Sequence, residues 1–229
     1  GIYEDDEFYE KCDELGLLVW QDFMFACALY PSDKNFIDNV KAEAIEQVKR
    51  LNNHPCLALW CGNNEVKNGW EDWGWQQNYT IDQRAEINKN INNLFNNILA
   101  DIVKRYDKST NYIPTSPLWG WGHQESITHG NAQYWGVWWG GEPFEVFDEK
   151  TGRFMAEYGF QSYPEISTIL KFADKDNLSF SSPVIKSHQK HDRGYEIISK
   201  SIDKYLYNLP EKNEIIFDNF IYLSQIVQA

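Results

Sequence analysis

Residues 54–65 read HPCLALWCGNNE, and the fold follows from how that stretch is parsed. Leu57 to Cys61 is a short continuous apolar run, as expected of a strand buried on both faces of a sheet. Gly62-Asn63-Asn64 is a turn signal, and the residue that emerges from it is a carboxylate, Glu65. Upstream the period changes: Phe36, Ile37, Val40, Ala44, Ile45, Val48 and Leu51 fall at helical spacing, with capping candidates in Ser32-Asp33-Lys34-Asn35 and Pro55 closing the region. Before that helix stands a second apolar run, Leu15 to Trp20 (LGLLVW), which reads as another doubly buried strand. Downstream, Asp82 to Tyr106 carries the longest helical stripe, through Ile87, Ile91, Leu94, Phe95, Ile98, Leu99, Ile102 and Val103. Asn111 to Pro114, Tyr134 to Trp139 (YWGVWW) and Arg153 to Tyr158 (RFMAEY) read as three more strands. A short helix near Glu165 to Phe172 and helical stretches over 190–207 and 213–228 complete the chain. Strands alternating with amphipathic helices imply a parallel α/β architecture. A closed (β/α)8 TIM barrel needs eight strands and about 250 residues, so five strands point to a partial barrel or to a smaller open sheet.

Composition narrows the class. The 229 residues carry a formal net charge of −13, which disfavours partners that reward a basic patch, nucleic acid and anionic membrane among them. The apolar runs fall far short of the roughly 20 residues that span a bilayer, and no basic-then-apolar leader stands at Gly1, so no signal peptide is expected in this sequence. The compartment is left open by these features. Four cysteines are too few for a disulfide scaffold; Cys12 and Cys27 read as buried thiols, and Cys56 and Cys61 as pointing to opposite sides of one strand. Aromatic content is high, with 10 Trp, 13 Tyr and 13 Phe.

Two carboxylates are singled out by position. Glu65 follows the strand 57–61, and Glu157 lies near the C-terminal end of the strand 153–158. In parallel α/β folds that end of the strands builds the active site. A pair of carboxylates there is the minimum equipment for glycoside hydrolysis, one protonating the leaving oxygen and the other attacking the anomeric carbon or activating water; in a chain with 34 acidic residues, chance placement is the competing explanation. Asn64 supplies an amide for a sugar hydroxyl. Trp70, Trp73, Trp75, Trp119, Trp121, Trp135, Trp138 and Trp139 offer flat faces to the apolar side of a sugar ring, or fill the core, as Trp60 is expected to do inside its strand. His188 and His191, three apart, could meet on a helix, but no third ligand completes a zinc site, and His54 reads as a packed residue at a strand entrance. No metal and no cofactor is expected. No phosphate-binding glycine loop and no Gly-x-Ser-x-Gly elbow is present.

Three stretches resemble β-mannosidases of glycoside hydrolase family 2. Leu18 to Cys27 (LVWQDFMFAC) is similar to that family's WQDF strand. His54-Pro55 through Trp60 and Gly62-Asn63-Asn64-Glu65 is similar to its strand-four signature, and Arg153 to Ser162 (RFMAEYGFQS) to its strand-seven nucleophile segment. The WQDF block separates mannosidases from the galactosidase and glucuronidase branches. The resemblance implies that Glu65 is the general acid/base and Glu157 the nucleophile of a retaining mechanism, with carboxyl groups about 5 to 5.5 Å apart. It implies a contact from Asn64 to the C2 hydroxyl, and a mannose subsite lined by Trp73 and Trp121. Asp22, at the end of its strand, is expected either to accept from a sugar hydroxyl or to belong to the packing of the WQDF block, and Trp138 joins the expected substrate-contacting aromatics.

The same resemblance sets the domain expectation. Residues 1–229 would supply about strands three to seven of the catalytic barrel, with strands one and two before Gly1, the eighth beyond Ala229 and the family's flanking β-rich domains absent. Such a piece alone is expected to be inactive, since residues of the missing strands complete the site, and its open edges would need neighbouring domains or homo-oligomerisation to cover them. The function implied is exo-acting release of β-D-mannose from non-reducing ends of manno-oligosaccharides or glycans. The alternatives are a non-catalytic carbohydrate-binding relative and a sister specificity, β-glucosaminidase or β-galactosidase, with the same mechanism.

Overall fold

The structure, a computed structural model, describes residues 1–206 and 216–229; the edges of the expected helices at 207 and 213–215 lie outside the described residues. The chain divides into two compact units, residues 1–133 with 152–156, and residues 134–151 with 157–229.

The first unit is α/β. Its order is α1 (Asp6–Leu15), β1 (Val19–Asp22), α2 (Lys34–Leu51), β2 (Leu57–Cys61), α3 (Val66–Glu71), α4 (Ile81–Asn92), a π-helical segment (Asn93–Ile98), α5 (Leu99–Tyr106) and β3 (Asn111–Ile113). β1, β2 and β3 form a parallel sheet in that order. Asp22 is in register with Cys61 and Cys61 with Ile113, so all three strands end at the same edge. Asp33 caps α2, its carboxylate accepting from the N–H groups of Asn35 at 3.0 Å and Phe36 at 3.1 Å, which satisfies donors a helix start leaves unpaired. Ala44, Val48 and Leu51 of α2 are buried with Leu99 and Val103 of α5 in one cluster against the sheet. Trp60 lies fully buried in that core, stacked on Phe23 with centroids 5.1 Å apart, as its place inside the strand predicts. The long helix 82–106 forms, started by a capping box at Thr80 and Gln83, but it widens into π geometry at Asn93–Ile98. There the Phe95 carbonyl accepts from the Tyr112 hydroxyl at 2.5 Å, a side-chain insertion of the kind that opens a helical ladder.

Two strand expectations shift. Leu15 to Trp20 is not one buried strand: Leu15 ends α1, Gly16 turns the chain at φ 67°, and the strand starts only at Val19. Gly16 and Leu17 donate to the carbonyls of Asp13 and Cys12, a helix-ending turn that glycine permits. Leu15, Leu17 and Leu18 are 70%, 54% and 78% exposed, so apolarity alone misled the assignment. In the same way Tyr134 to Trp139 is largely not strand. β4 is Ala132–Tyr134, and the residues after it form a turn in which Trp139 N–H donates to the Trp135 carbonyl at 2.8 Å. Gly140 closes that turn against the Gly136 carbonyl so tightly that a Cβ has no room. β5 is Met155–Tyr158, inside the expected range. It is tied to β4 by Ala132 N–H donating to the Phe154 carbonyl at 2.7 Å.

The second unit holds α6 (Ile166–Ile169), α7 (Pro183–His188), α8 (Gly194–Tyr205) and α9 (Phe217–Gln228). Ile169, Ile198 and Ile202 are buried in it, and Phe180 and Tyr195 pack on Phe220. Ser224 on α9 donates to the Ile221 carbonyl and accepts from Tyr163 N–H at 3.0 Å. His188 ends α7 and His191 lies beyond it, so the two histidines do not share a helix.

Candidate active site

The site is built where the three parallel strands end. The loops that follow β1, β2 and β3 keep the sheet's register, with parallel bridges from Ala26 to Asn64 and from Asn64 to Ser116. Gly62 opens the central loop, and a Cβ there would run into the Tyr112 hydroxyl and the Pro114 carbonyl. Asn63 is buried and braces the turn from within. Its Nδ2 donates to the Pro114 carbonyl at 2.8 Å, and its Oδ1 accepts from Val66 N–H and the Thr115 hydroxyl, each at 3.0 Å.

Glu65 is thereby delivered to the strand ends. Its backbone is left-handed, at φ 61°. Its N–H donates to the Ser116 carbonyl at 2.7 Å, and its own carbonyl accepts from Gly69 at 2.8 Å. The side chain is half-buried, and its Oε2 accepts from the thiol of Cys27 at 3.2 Å. Burial pushes the Glu65 carboxyl above its ordinary value, and the Cys27 hydrogen bond offsets part of that rise. A carboxyl held up in this way is suited to donate a proton.

Asn64 is held from both sides. Its N–H donates to the Phe25 carbonyl at 2.8 Å and its carbonyl accepts from Cys27 N–H at 2.9 Å. Its side-chain Oδ1 accepts from Gln133 Nε2 at 2.8 Å, which leaves the Asn64 amide hydrogens to point elsewhere. Gln133 is 2% exposed and also donates to Ser116 Oγ at 3.0 Å, an oxygen that Asn131 reaches too. Asp22, half-buried at the end of β1, accepts from Trp20 Nε1 at 2.7 Å.

Trp73 and Trp121 sit on loops that follow β2 and β3. Trp73 is 47% exposed and meets Trp75 edge to face, and His123 ties the second loop to the first through Asp72 at 3.0 Å. In the second unit Glu157 on β5 is half-buried and accepts from Trp135 Nε1 at 3.3 Å. Trp138 is placed differently from the sequence expectation. It is 6% exposed, packed edge-on against Phe160 and His191, and acts as core of that unit rather than as an open stacking face. Cys27 likewise departs from expectation: it is exposed, unlike Cys12, Cys56 and Cys61.

Sequence reasoning passed over Gln133, read Cys27 only as a buried thiol, and offered Trp135 as a stacking face and not as a partner of Glu157. Cys27 closes the WQDFMFAC block, so a signal was at hand; Gln133 stands just before a segment read wholly as strand and carried none. Among the described residues, Asp13, His54 and Cys56 bring donor atoms within 4.8 Å of one another. Asp13 spends its oxygens on Cys56 N–H and His54 Nδ1, each at 2.7 Å. Burial, then Asp13, pushes the Cys56 thiol up to about 12, whereas a metal ligand must be thiolate. The cluster fits a structural tie between α1 and the entry to β2.

Similar proteins agree with this frame. β-Mannosidase B of Aspergillus terreus is 39% identical over 236 residues, covering 100% of the chain. The β-mannosidase of Bos taurus is 35% identical over 246 residues, again across the whole chain. The chain is thus similar, over its whole length, to one stretch of these β-mannosidases. A crystal structure of β-D-mannosidase from Dictyoglomus thermophilum superposes on all of it with a TM-score of 0.79 and 38% identity. The chain spans about a quarter of these mannosidases, 27% of the two curated relatives and 26% of the crystallised one. No protein-family model matches it. Among the described residues no helix is long and apolar enough to cross a membrane.

Proposed function

We propose that the protein carrying this chain is an exo-acting, retaining β-mannosidase, and that residues 1–229 supply about strands three to seven of its (β/α)8 catalytic barrel. The observation that carries the reading is the half-buried Glu65 carboxyl, shifted upward by burial, beside an oriented Asn64 at the end of a parallel sheet. Glu157 attacks the anomeric carbon while protonated Glu65 gives its proton to the departing oxygen. Water then enters, loses a proton to Glu65 and releases β-D-mannose from Glu157. Asn64 donates to the C2 hydroxyl, and Asp22 accepts from another hydroxyl. Trp73 and Trp121 cover the apolar face of the ring. The substrate is a β-linked manno-oligosaccharide or glycan, and no metal or cofactor takes part in these steps.

The test is covalent trapping in the complete protein. With 2-deoxy-2-fluoro-β-mannosyl fluoride, peptide mass spectrometry is expected to find the fluoromannosyl adduct on the peptide containing Glu157. Folded protein that gains no adduct overturns the reading in favour of a binding-only relative or another sugar.

A further inference from the structure

Among the described residues, two non-glycine residues have positive φ, Cys27 at 46° and Glu65 at 61°, and they are hydrogen-bonded to each other. A left-handed backbone is costly for any residue with a side chain, and such strain persists where the surroundings over-determine it. Here they do. Cys27 N–H is tied to the Asn64 carbonyl and Glu65 N–H to the Ser116 carbonyl, so one bridged backbone frame presents both side chains. The contact is therefore set by the loops and not by a chance rotamer.

A thiol has a single hydrogen to give, and this one is directed at Oε2 of Glu65 at 3.2 Å. When Glu65 is ionised, both oxygens accept. When it is protonated, the oxygen already accepting from the thiol is the poorer place for the proton, so the proton resides on Oε1. The geometry points to Cys27 as a positioning residue for Glu65: its thiol fixes Oε2 and leaves Oε1 to exchange the proton with the substrate. This rests on the reading of Glu65 as acid/base. Burial and the Cys27 thiol are the two influences on this carboxyl, the first raising it and the second lowering it.

Two measurements on the complete protein test the proposal, and the first needs no turnover. Cys27 is the exposed cysteine of the four, so iodoacetamide labelling can be followed on its own peptide at pH 7. Glu65→Gln removes the anion that disfavours thiolate, and Cys27 alkylation is expected to quicken about three- to tenfold; an unchanged rate overturns the pairing. The second is the pH dependence of kcat/KM on p-nitrophenyl β-mannoside for Cys27→Ala and Cys27→Ser. Loss of the donor is expected to move the alkaline limb of the Ala variant upward by about 0.5 to 1 pH unit, with Ser, which restores a donor, staying near the parent. A Cys27→Ala limb that does not move overturns the positioning role. A protein that cleaves no β-mannoside refutes the proposed function instead, and the alkylation rates still decide whether the pair exists.

Discussion

Gln133 Nε2 donates to Asn64 Oδ1 at 2.8 Å, joining residues 69 positions apart. That bond orients an amide which would otherwise be free to turn over, and under the proposed function it is the Asn64 hydrogens, not its oxygen, that meet the substrate. Gln133→Leu keeps approximate volume and removes the donor. About 1 to 2 kcal/mol of orientation is expected to go with it, a loss of roughly ten- to thirtyfold in kcat/KM. A substrate lacking the C2 hydroxyl should be much less sensitive to the substitution, and comparing the two substrates checks it.

Glu65→Ala separates acid catalysis from binding. With a poor leaving group, kcat/KM is expected to fall about 10²- to 10⁴-fold, whereas 2,4-dinitrophenyl β-mannoside, whose leaving group needs no proton, should be attacked at near the parental rate. In the proposed mechanism Glu65 must be protonated for the first step, and burial raises its carboxyl. The parent's kcat/KM with the poor leaving group therefore falls as pH rises through that raised value. The variant should lack this limb.

At Gly62 the added methyl of Gly62→Ala meets the Pro114 carbonyl and the Tyr112 hydroxyl, and one of these is backbone that yields little. Overpacking here is expected to cost about 1 to 3 kcal/mol and to displace Asn64 and Glu65 together. Thermal unfolding and kcat should both drop in this one variant.

Asp107 links stability to pH. Its Oδ2 accepts from Trp60 Nε1 at 3.0 Å, and its Oδ1 accepts from the N–H groups of Ser109 and Thr110, each at 3.0 Å, and from the Ser109 hydroxyl at 2.8 Å. Burial would raise this carboxyl, but the bonds from Trp60, Thr110 and Ser109 outweigh it and hold it below the ordinary value. Its contribution is then complete above the unfolded value of about 3.9 and is lost as pH falls through the lower folded one. Asp107→Ala is expected to cost about 2 to 4 kcal/mol at neutral pH and to flatten part of the acid limb in denaturant unfolding.

The readable parts were those whose signal is local. α2 announced itself through the spacing from Phe36 to Leu51 and the cap at Asp33, and β2 lay where LALWC placed it. The place of Asn64 and Glu65 beyond the end of β2 was legible because a short strand, a glycine turn and a carboxylate follow one another directly. Apolarity failed as a guide where glycine decided the path, at Gly16 and again at Gly136 and Gly140, because turn chemistry overrides β-favouring side chains. Gln133 and Cys27 escaped for another reason. Each acts on the Asn64–Glu65 turn from far away in sequence, and no periodicity encodes a partner brought close only by folding. Trp138 reads as a stacking residue by composition alone, and its neighbours Phe160 and His191 make it core.

The bridges Ala26–Asn64–Ser116 have a thermodynamic meaning. The loops that hold Glu65 are rungs added to the sheet, so they share its cooperativity instead of fraying as independent lids. The amides of Asn64, Glu65 and Ser116 should exchange with solvent on the timescale of the Trp60 strand beneath them. The loop carrying Glu65 would then melt with the core, leaving no partly unfolded state in which the sheet survives and the Glu65 carboxyl has lost its place.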